Sequence, residues 1–132
     1  MREIKFRGKD IETGEWIFGD LIQRLGYYPA ILTTYPTDEG KIGYAEIAVK
    51  EDTVGQYTGM TDKNGKEIYE WDKLKVNESG VFRIAHQSNS IYICGYVLLY
   101  MDGEFAYYLK GGLNEMYEVV GNVYDNPELL KE

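Results

Sequence analysis

The dipeptide Asn64-Gly65 is the strongest short-range turn signal in the chain, and it constrains the fold more than any other feature. An Asn-Gly pair readily takes the positive φ angles of the tight turns that join antiparallel strands. Short β-prone runs flank it, at residues 56–58 and 67–69. Asp102-Gly103 repeats the signal later in the chain. The sequence therefore predicts antiparallel hairpins.

The remainder of the chain has the pattern of short strands between turns. In residues 1–7, Ile4 and Phe6 alternate with charged residues, which predicts a half-buried strand with Arg7 on its polar side. Ala45 and Ala48 leave a helix as an alternative at residues 44–49. Further strands are predicted at residues 16–22, 30–35, 44–49, 73–76, 81–86, 91–101, 105–109 and 116–124. Gly121 is a candidate for a bulge or a close backbone approach in the last of these strands.

These elements predict a mostly-β protein, α+β at most, in three consecutive parts. Residues 1–53 form an N-terminal part with a β-hairpin, and residues 54–72 form a junction loop or hairpin. Residues 73–132 form an antiparallel meander of the size that curls into a small open barrel. Asn126 followed by Pro127 predicts a short helical turn near the end of the chain. At 132 residues the three parts are expected to form one compact unit.

Charge and composition exclude several classes of function. Asp and Glu number 22 against 14 Lys and Arg, and the net charge of −8 argues against general nucleic-acid binding, which depends on neutralised phosphates. One cysteine cannot form an internal disulfide, and one cysteine with one histidine cannot form a zinc site of several such ligands. The longest near-apolar run, residues 91–101, is too short to span a bilayer. We therefore expect no membrane association and a location in the cytoplasm of a bacterial host.

No catalytic motif stands out. If residues 81–86 pair with residues 91–96, His86 lies opposite Ile91 and Cys94 lies opposite Arg83, so the thiol is separated from the only imidazole. Residues 59–66 differ from a phosphate-binding loop in spacing and in the residue that follows. We expect no enzyme activity and no cofactor, although two unidentified carboxylates in a cleft remain an alternative.

A cation site near the Asn64-Gly65 turn is a weaker alternative. The stretch starting at Asp62 lacks the glycine of a calcium-binding loop, because Glu67 takes that position. A looser oxygen cluster is conceivable, whereas a turn with solvated charges is the simpler interpretation. Its members would be Asp62, Asn64, Glu67, Glu70 and Asp72.

Four pieces of the sequence together resemble the YopX family of small phage and prophage proteins. They are MREIKFRG at residues 1–8, GEW at 14–16 with GDL at 19–21, VGQYTG at 54–59 with DKNGKEIYE at 62–70, and VGNVYDNPELL at 120–130. The resemblance implies a C-terminal part like a small SH3 barrel, and it transfers no catalytic residue. Relatives commonly have glycine where this chain has Trp71. We expect an ordinary extended backbone there, with the indole covering a neighbour or a partner, because a positive φ would strain a tryptophan.

The leading hypothesis is a phage accessory protein that works through protein–protein contacts, with homo-oligomerisation as one form. The candidate interaction surface consists of Trp71, Tyr57, Tyr69 and Trp16. Nucleic-acid binding through the basic N-terminal strand, around Arg2, Lys5, Arg7 and Lys9, is an alternative. A further alternative is that the acidic surface imitates DNA or meets a basic partner.

Overall fold

A computed structural model describes residues 3–87 and 95–127 of the chain. The chain divides into two compact units, residues 1–57 and residues 58–132. The first contains β1 (Phe6–Lys9), β2 (Trp16–Ile22), β3 (Ala30–Pro36), β4 (Ile42–Ala48) and a 3-10 turn (Glu51–Thr53). The fifth strand, β5 (Gly55–Thr61), begins in the first unit and continues in the second. The second unit also contains β6 (Glu67–Tyr69), β7 (Asp72–Val76), β8 (Val81–Gln87), β9 (Gly95–Leu99), β10 (Phe105–Tyr108), a 3-10 turn (Asn114–Met116) and β11 (Tyr117–Asn122). The prediction of a mostly-β protein is confirmed, and residues 44–48 of the segment with the helix alternative lie in a strand.

The first unit is an antiparallel sheet in the order β4-β3-β2-β1-β5, in which Gly55 and Gln56 pair with β1. The predicted β1–β2 hairpin is present and places Arg7 opposite Phe18. Beyond β4, Val49 forms a bridge with Asp10, so the end of β4 returns to the end of β1. Ile31 and Val49 are fully buried and form part of the core of this unit.

The second unit combines the β5–β6 hairpin with a five-stranded antiparallel sheet. Gly65, in the predicted Asn64-Gly65 turn, has a φ of 80°, as a tight hairpin requires. The sheet order is β10-β9-β8-β7-β11, so β7 to β10 form a meander and β11 returns to pair with β7. The apolar core consists of Ile68, Leu74, Val76, Phe82, Ile84, Leu98 and Tyr117. Among the described residues neither sheet closes on itself, so the small-barrel part of the prediction is not confirmed.

The predicted orientation of the N-terminal strand is wrong. Strand β1 begins at Phe6, leaving Ile4 outside it and 57% exposed, while Arg7 is only 7% exposed. The reason is an aromatic contact, since the guanidinium of Arg7 lies 4.4 Å from the ring centre of Trp16. The aliphatic part of an arginine side chain can be buried when its guanidinium stacks on a ring. The alternation of charged residues therefore did not identify the buried face of β1.

The predicted pairing of β8 with β9 is wrong by several residues. Arg83 pairs with Leu99 and His86 pairs with Tyr96, whereas a four-residue loop would place their partners five residues earlier. Cys94 lies outside the described residues, as does the end of the predicted C-terminal helical turn from residue 128 onward. The irregularity predicted at Gly121 is confirmed by a register shift between Val119 and Gly121.

Candidate interaction surface

The structure divides the four predicted interaction residues between the two units. Trp16 and Tyr57 belong to the first unit, and Tyr69 and Trp71 belong to the second. Tyr57 is 8% exposed and Tyr69 is 2% exposed, so both rings pack in the interior. Trp16 and Trp71 are half-buried. Only the two tryptophans therefore offer ring surface to solvent.

Trp16 lies among the cations of the N-terminal strand. The guanidinium of Arg7 is 4.4 Å from its ring centre, and the ammonium of Lys9 is 5.3 Å away. The ammonium of Lys5 similarly lies 5.4 Å from the ring centre of Tyr57. These cation–π contacts give the basic residues partners within the chain itself. They also cover ring faces on which a nucleic-acid base would have to stack.

The expectation of an extended backbone at Trp71 is wrong, because its φ is +70°. The turn between β6 and β7 requires this angle. The Tyr69 N–H donates to Asp72 Oδ2 at 2.8 Å, which folds the chain tightly across residues 69–72. The Trp71 N–H donates to the Ile84 carbonyl at 2.8 Å, and the Trp71 carbonyl accepts from the Val123 N–H at 3.0 Å. A residue with a Cβ is strained at this angle, by about 1–2 kcal/mol.

Asp62 uses both of its carboxylate oxygens to hold backbone. Its Oδ1 accepts from the Asn64 and Lys66 N–H groups at 2.9 Å, and its Oδ2 accepts from the Val119 N–H of β11 at 2.9 Å. Burial raises the pKa of Asp62, but the hydrogen bonds from these three groups outweigh burial and leave the pKa below its usual value. Asp62 is therefore committed to joining the Asn64-Gly65 turn to β11.

The loose cation site is not formed. The oxygens of Asp62 point to backbone N–H groups, and Asp72 accepts from the Tyr69 N–H. Within residues 3–87 and 95–127, no three His, Cys, Asp or Glu side chains come close enough together to hold a metal ion.

Sequence reasoning missed the most exposed apolar side chains. In the first unit these are Ile42 and Tyr44, 67% and 68% exposed, and three residues of the β2–β3 loop, Leu25, Tyr27 and Tyr28. The sequence of β4 does alternate: large side chains stand at the even-numbered positions 42, 44 and 46, and small or aliphatic ones stand at the odd-numbered positions. Alternation does not reveal which face is covered, however, when apolar residues occur on both.

A second set of exposed aromatic residues lies in the second unit, but its members pack on one another. The rings of Phe105 and Tyr108 lie 5.0 Å apart between centres, and the ring of Phe82 lies 5.5 Å from Tyr100 and 5.6 Å from Tyr107. Except for the buried Phe82, each of these side chains remains about half exposed. Their mutual contacts already cover part of their apolar surface, so they are a weaker candidate for an interaction surface than the residues of β4.

Strand β4 is an edge of its sheet, and its hydrogen-bonding direction follows from its neighbours. The Thr37 N–H donates to the Lys41 carbonyl, and the Val49 N–H donates to the Pro29 carbonyl, both at 2.9 Å. The register with β3 is regular over all seven residues of β4. Antiparallel pairs alternate between bonded and non-bonded, so the even-numbered residues of β4 direct their backbone N–H and C=O groups away from β3.

We call residues 42–46 of this strand the β4 edge. Ile42, Tyr44 and Glu46 present outward N–H and C=O groups that have no backbone partner among the described residues. Past this point the Ala48 carbonyl accepts from the Ile11 N–H at 3.1 Å, so the β1–β2 turn covers the end of the strand. The β4 edge is thus an open pairing site of limited length.

A cleft of about 470 Å³ lies where the β4 edge meets the β1–β2 turn. Its lining residues are Asp10, Ile11, Glu12, Tyr28, Glu46, Ile47 and Ala48. Three of the seven are acidic, and Glu46 also forms an ion pair with Arg24 at 2.6 Å. The cleft therefore combines negative charge with one exposed aromatic ring.

In the part of the chain that the structure describes, no helix is both long enough and apolar enough to cross a membrane.

Comparison with known proteins gives a family and a fold. The family model described as "YopX protein" matches residues 5–131 of the chain. A solved structure, protein EF1440 from Enterococcus faecalis, is similar over 98% of this chain and 99% of its own, with 22% sequence identity and a TM-score of 0.60. At that identity the likeness establishes a shared fold. No curated protein matches the chain.

Proposed function

We propose that this chain, which belongs to the YopX family, is a phage or prophage accessory protein that acts through contacts with another protein rather than as an enzyme. The resemblance of its sequence to phage-encoded relatives supports the first part. The β4 edge and the exposed apolar side chains beside it support the second. We place its action in the cytoplasm of a bacterial host.

The exposure of Ile42, Tyr44 and the β2–β3 loop residues is the observation that carries the proposal. Large apolar side chains grouped on a surface mark interaction sites, and tyrosine is enriched among the residues that dominate binding energy. An open sheet edge adds backbone groups that a partner's strand can pair with. The predicted residues Trp71 and Trp16 remain candidates for a contact, each through a half-buried ring.

Site-specific photo-cross-linking in the cells that produce the protein tests this function. A photoreactive phenylalanine analogue replaces Tyr44 in one variant and Tyr108 in a control variant, since both rings are exposed but lie in different units. We expect a discrete cross-linked species from position 44 that is absent from position 108. Equal labelling from both positions, or none from position 44, would contradict the proposal.

Nucleic-acid binding through β1 is a second candidate, favoured by Arg7 and Lys9, which lie two residues apart on one face of the strand, and by Lys5 just before it. It has less support, because Arg7 is buried and all three cations contact rings of their own chain. The phosphate groups of DNA would have to displace these contacts.

A further inference from the structure

We propose that the β4 edge binds an extended segment of a partner protein, a β-prone stretch preceded by lysine or arginine, as an added antiparallel strand. This inference rests on the proposed function and names its partner's chemistry. Binding of such a segment requires unpaired backbone groups, exposed apolar side chains, and a charge that selects the partner.

The backbone groups are those of Ile42, Tyr44 and Glu46, which face away from β3. An incoming strand could form a hydrogen-bonded pair at each of these positions, with the spacing of an ordinary ladder. Such an addition requires a regular, uncovered edge, and natural proteins usually guard such edges with bulges, prolines or a covering loop. The β4 edge has no bulge, and the only cover in the described structure begins at Ala48.

The side chains of Ile42 and Tyr44 give the added strand apolar surface on one face. Both residues are about two-thirds exposed and lie two positions apart, so they project to the same side. Alternate residues of the incoming strand would pack beside them, which explains why the segment must be β-prone and apolar at every second position. No such surface is needed for the first unit's own core, which contains Ile31 and Val49.

Charge selects the partner, because both ends of the β4 edge are acidic. Asp38 and Glu39 lie in the turn before β4 and outnumber Lys41, and at the other end Asp10, Glu12 and Glu46 line the cleft, with Arg24 paired to Glu46. An antiparallel partner enters with its N-terminal end at the Glu46 end of the edge. A lysine or arginine there would meet the cleft's carboxylates and the exposed ring of Tyr28.

The same charges argue against a second copy of this chain as the occupant. Self-pairing of two antiparallel β4 strands about a two-fold axis brings each acidic end against the other acidic end. Like charges placed together in this way oppose association. Each chain also has a net charge of −8, which adds long-range repulsion between copies.

Binding of two synthetic peptides to the purified full chain tests the inference. One peptide alternates valine with threonine and begins with two lysines, and the control begins with two glutamates instead. Fluorescence anisotropy of the labelled peptides at low salt should show binding of the lysine peptide, with the glutamate peptide bound at least about tenfold more weakly. Equal affinity for both peptides, or no binding of either, overturns the inference.

Two variants at Tyr44 separate backbone pairing from loss of the ring. Tyr44→Thr keeps the outward N–H, whereas Tyr44→Pro removes it without affecting a hydrogen bond to β3. We expect the proline variant to bind the lysine peptide at least about tenfold more weakly than the threonine variant does. Equal binding by the two contradicts strand addition. Should the proline variant fail to fold, peptide-induced protection of the Ile42, Tyr44 and Glu46 amides from hydrogen exchange in the native chain decides the same question.

The charge requirement and the alternative occupant have their own readouts. Glu12→Lys should weaken binding of the lysine peptide by about three- to tenfold and make it less sensitive to salt. Sedimentation showing a dimer of the native chain that Tyr44→Pro abolishes would establish a second copy as the occupant and overturn the basic partner. A cross-link from position 44 without binding of the lysine peptide rejects only the partner's chemistry, whereas absence of both rejects the interaction role as well.

Discussion

At the scale of single residues, the chain departs from its own sequence pattern where a backbone angle or an aromatic contact takes precedence. Trp71 occupies a positive-φ position that a glycine would fill without strain, because the turn from β6 to β7 fixes the angle through long-range hydrogen bonds. Arg7 is buried because a ring lies beside it. The glycine that relatives have at position 71 was a signal for the positive φ, whereas the burial of Arg7 depends on a contact across the β1–β2 hairpin that alternation of charge does not show. The Asn64-Gly65 turn was predictable, because its signal is local.

Replacing Trp71 isolates the cost of its backbone angle. Trp71→Gly and Trp71→Ala both remove the indole, so the two variants differ only in whether a Cβ must adopt the positive φ. We expect Trp71→Gly to be more stable than Trp71→Ala by about 1 kcal/mol, the reverse of the order at an ordinary strand position. Urea unfolding followed by circular dichroism measures the difference. An alanine variant as stable as the glycine variant would show that the turn relaxes.

Asp62 should make the free energy of unfolding depend on pH in the acidic range. Its pKa is lowered by folding, so its carboxylate stabilises the folded state above about pH 4 and that contribution is lost as pH falls through the folded-state pKa. Asp62→Asn cannot offer an acceptor to the N–H groups on both sides, and we expect a loss of about 1–3 kcal/mol near neutral pH. The difference from the native chain should shrink below about pH 4.

Asp102 provides the control for that measurement. Its Oδ1 also accepts from a backbone N–H, at 2.9 Å, but the donor is Glu104, only two residues away, and the Asp102 side chain is exposed. Asp102→Asn should therefore change the free energy of unfolding by less than about 0.5 kcal/mol. Equal effects of the two substitutions would mean that the link from Asp62 to β11 contributes nothing.

At the scale of strands, the residues of the turns predicted which neighbouring segments pair. Features that depend on residues far apart in the chain could not be predicted from sequence. Strand β2 was located from its composition and its turns, at the residues where the structure has it. The predicted register of β8 with β9 was wrong by five residues, because it was based on the shortest loop that the turn residues allowed. The β4 edge was also missed, since sequence does not say which strand of a sheet has a neighbour on one side only.

The register of β2 with β3 can be tested at Gly19. A Cβ at this position would clash with the Leu32 carbonyl oxygen, which is backbone and cannot move aside. We expect Gly19→Ala to destabilise the protein by at least about 2 kcal/mol in urea unfolding. Gly111→Ala is the matched control, because a Cβ there meets nothing within 4 Å, and it should be neutral or slightly stabilising. A neutral Gly19→Ala would contradict the close approach of the two strands.

At the scale of the whole molecule, charge is the property that sequence predicts best. Residues 1–57 carry seven Lys and Arg against ten Asp and Glu, and residues 58–132 carry seven against twelve, so both units are acidic. The boundary within β5 was less accessible to prediction. Its residues form one continuous strand, with no change of composition to mark where one unit ends.

This charge makes a prediction for nucleic-acid binding. Titration with single-stranded DNA at near-physiological salt should leave the tryptophan fluorescence unchanged, because an acidic surface repels phosphates and Trp16 is already covered by Arg7 and Lys9. Quenching by DNA that disappears with added salt would instead favour the second candidate function.

The strand order has a consequence for how the chain is made. Phe6 of β1 pairs with Gln56 of β5, and Asp72 of β7 pairs with Asn122 of β11, so each sheet waits for a strand that leaves the ribosome long after its first one. Until then β1 and β7 each have an exposed side on the nascent chain. Neither sheet can therefore be completed until its last strand has left the ribosome, and folding depends on rapid completion of synthesis. Premature termination before β11 would leave β7 without one of its partner strands, and we expect such a product to be degraded.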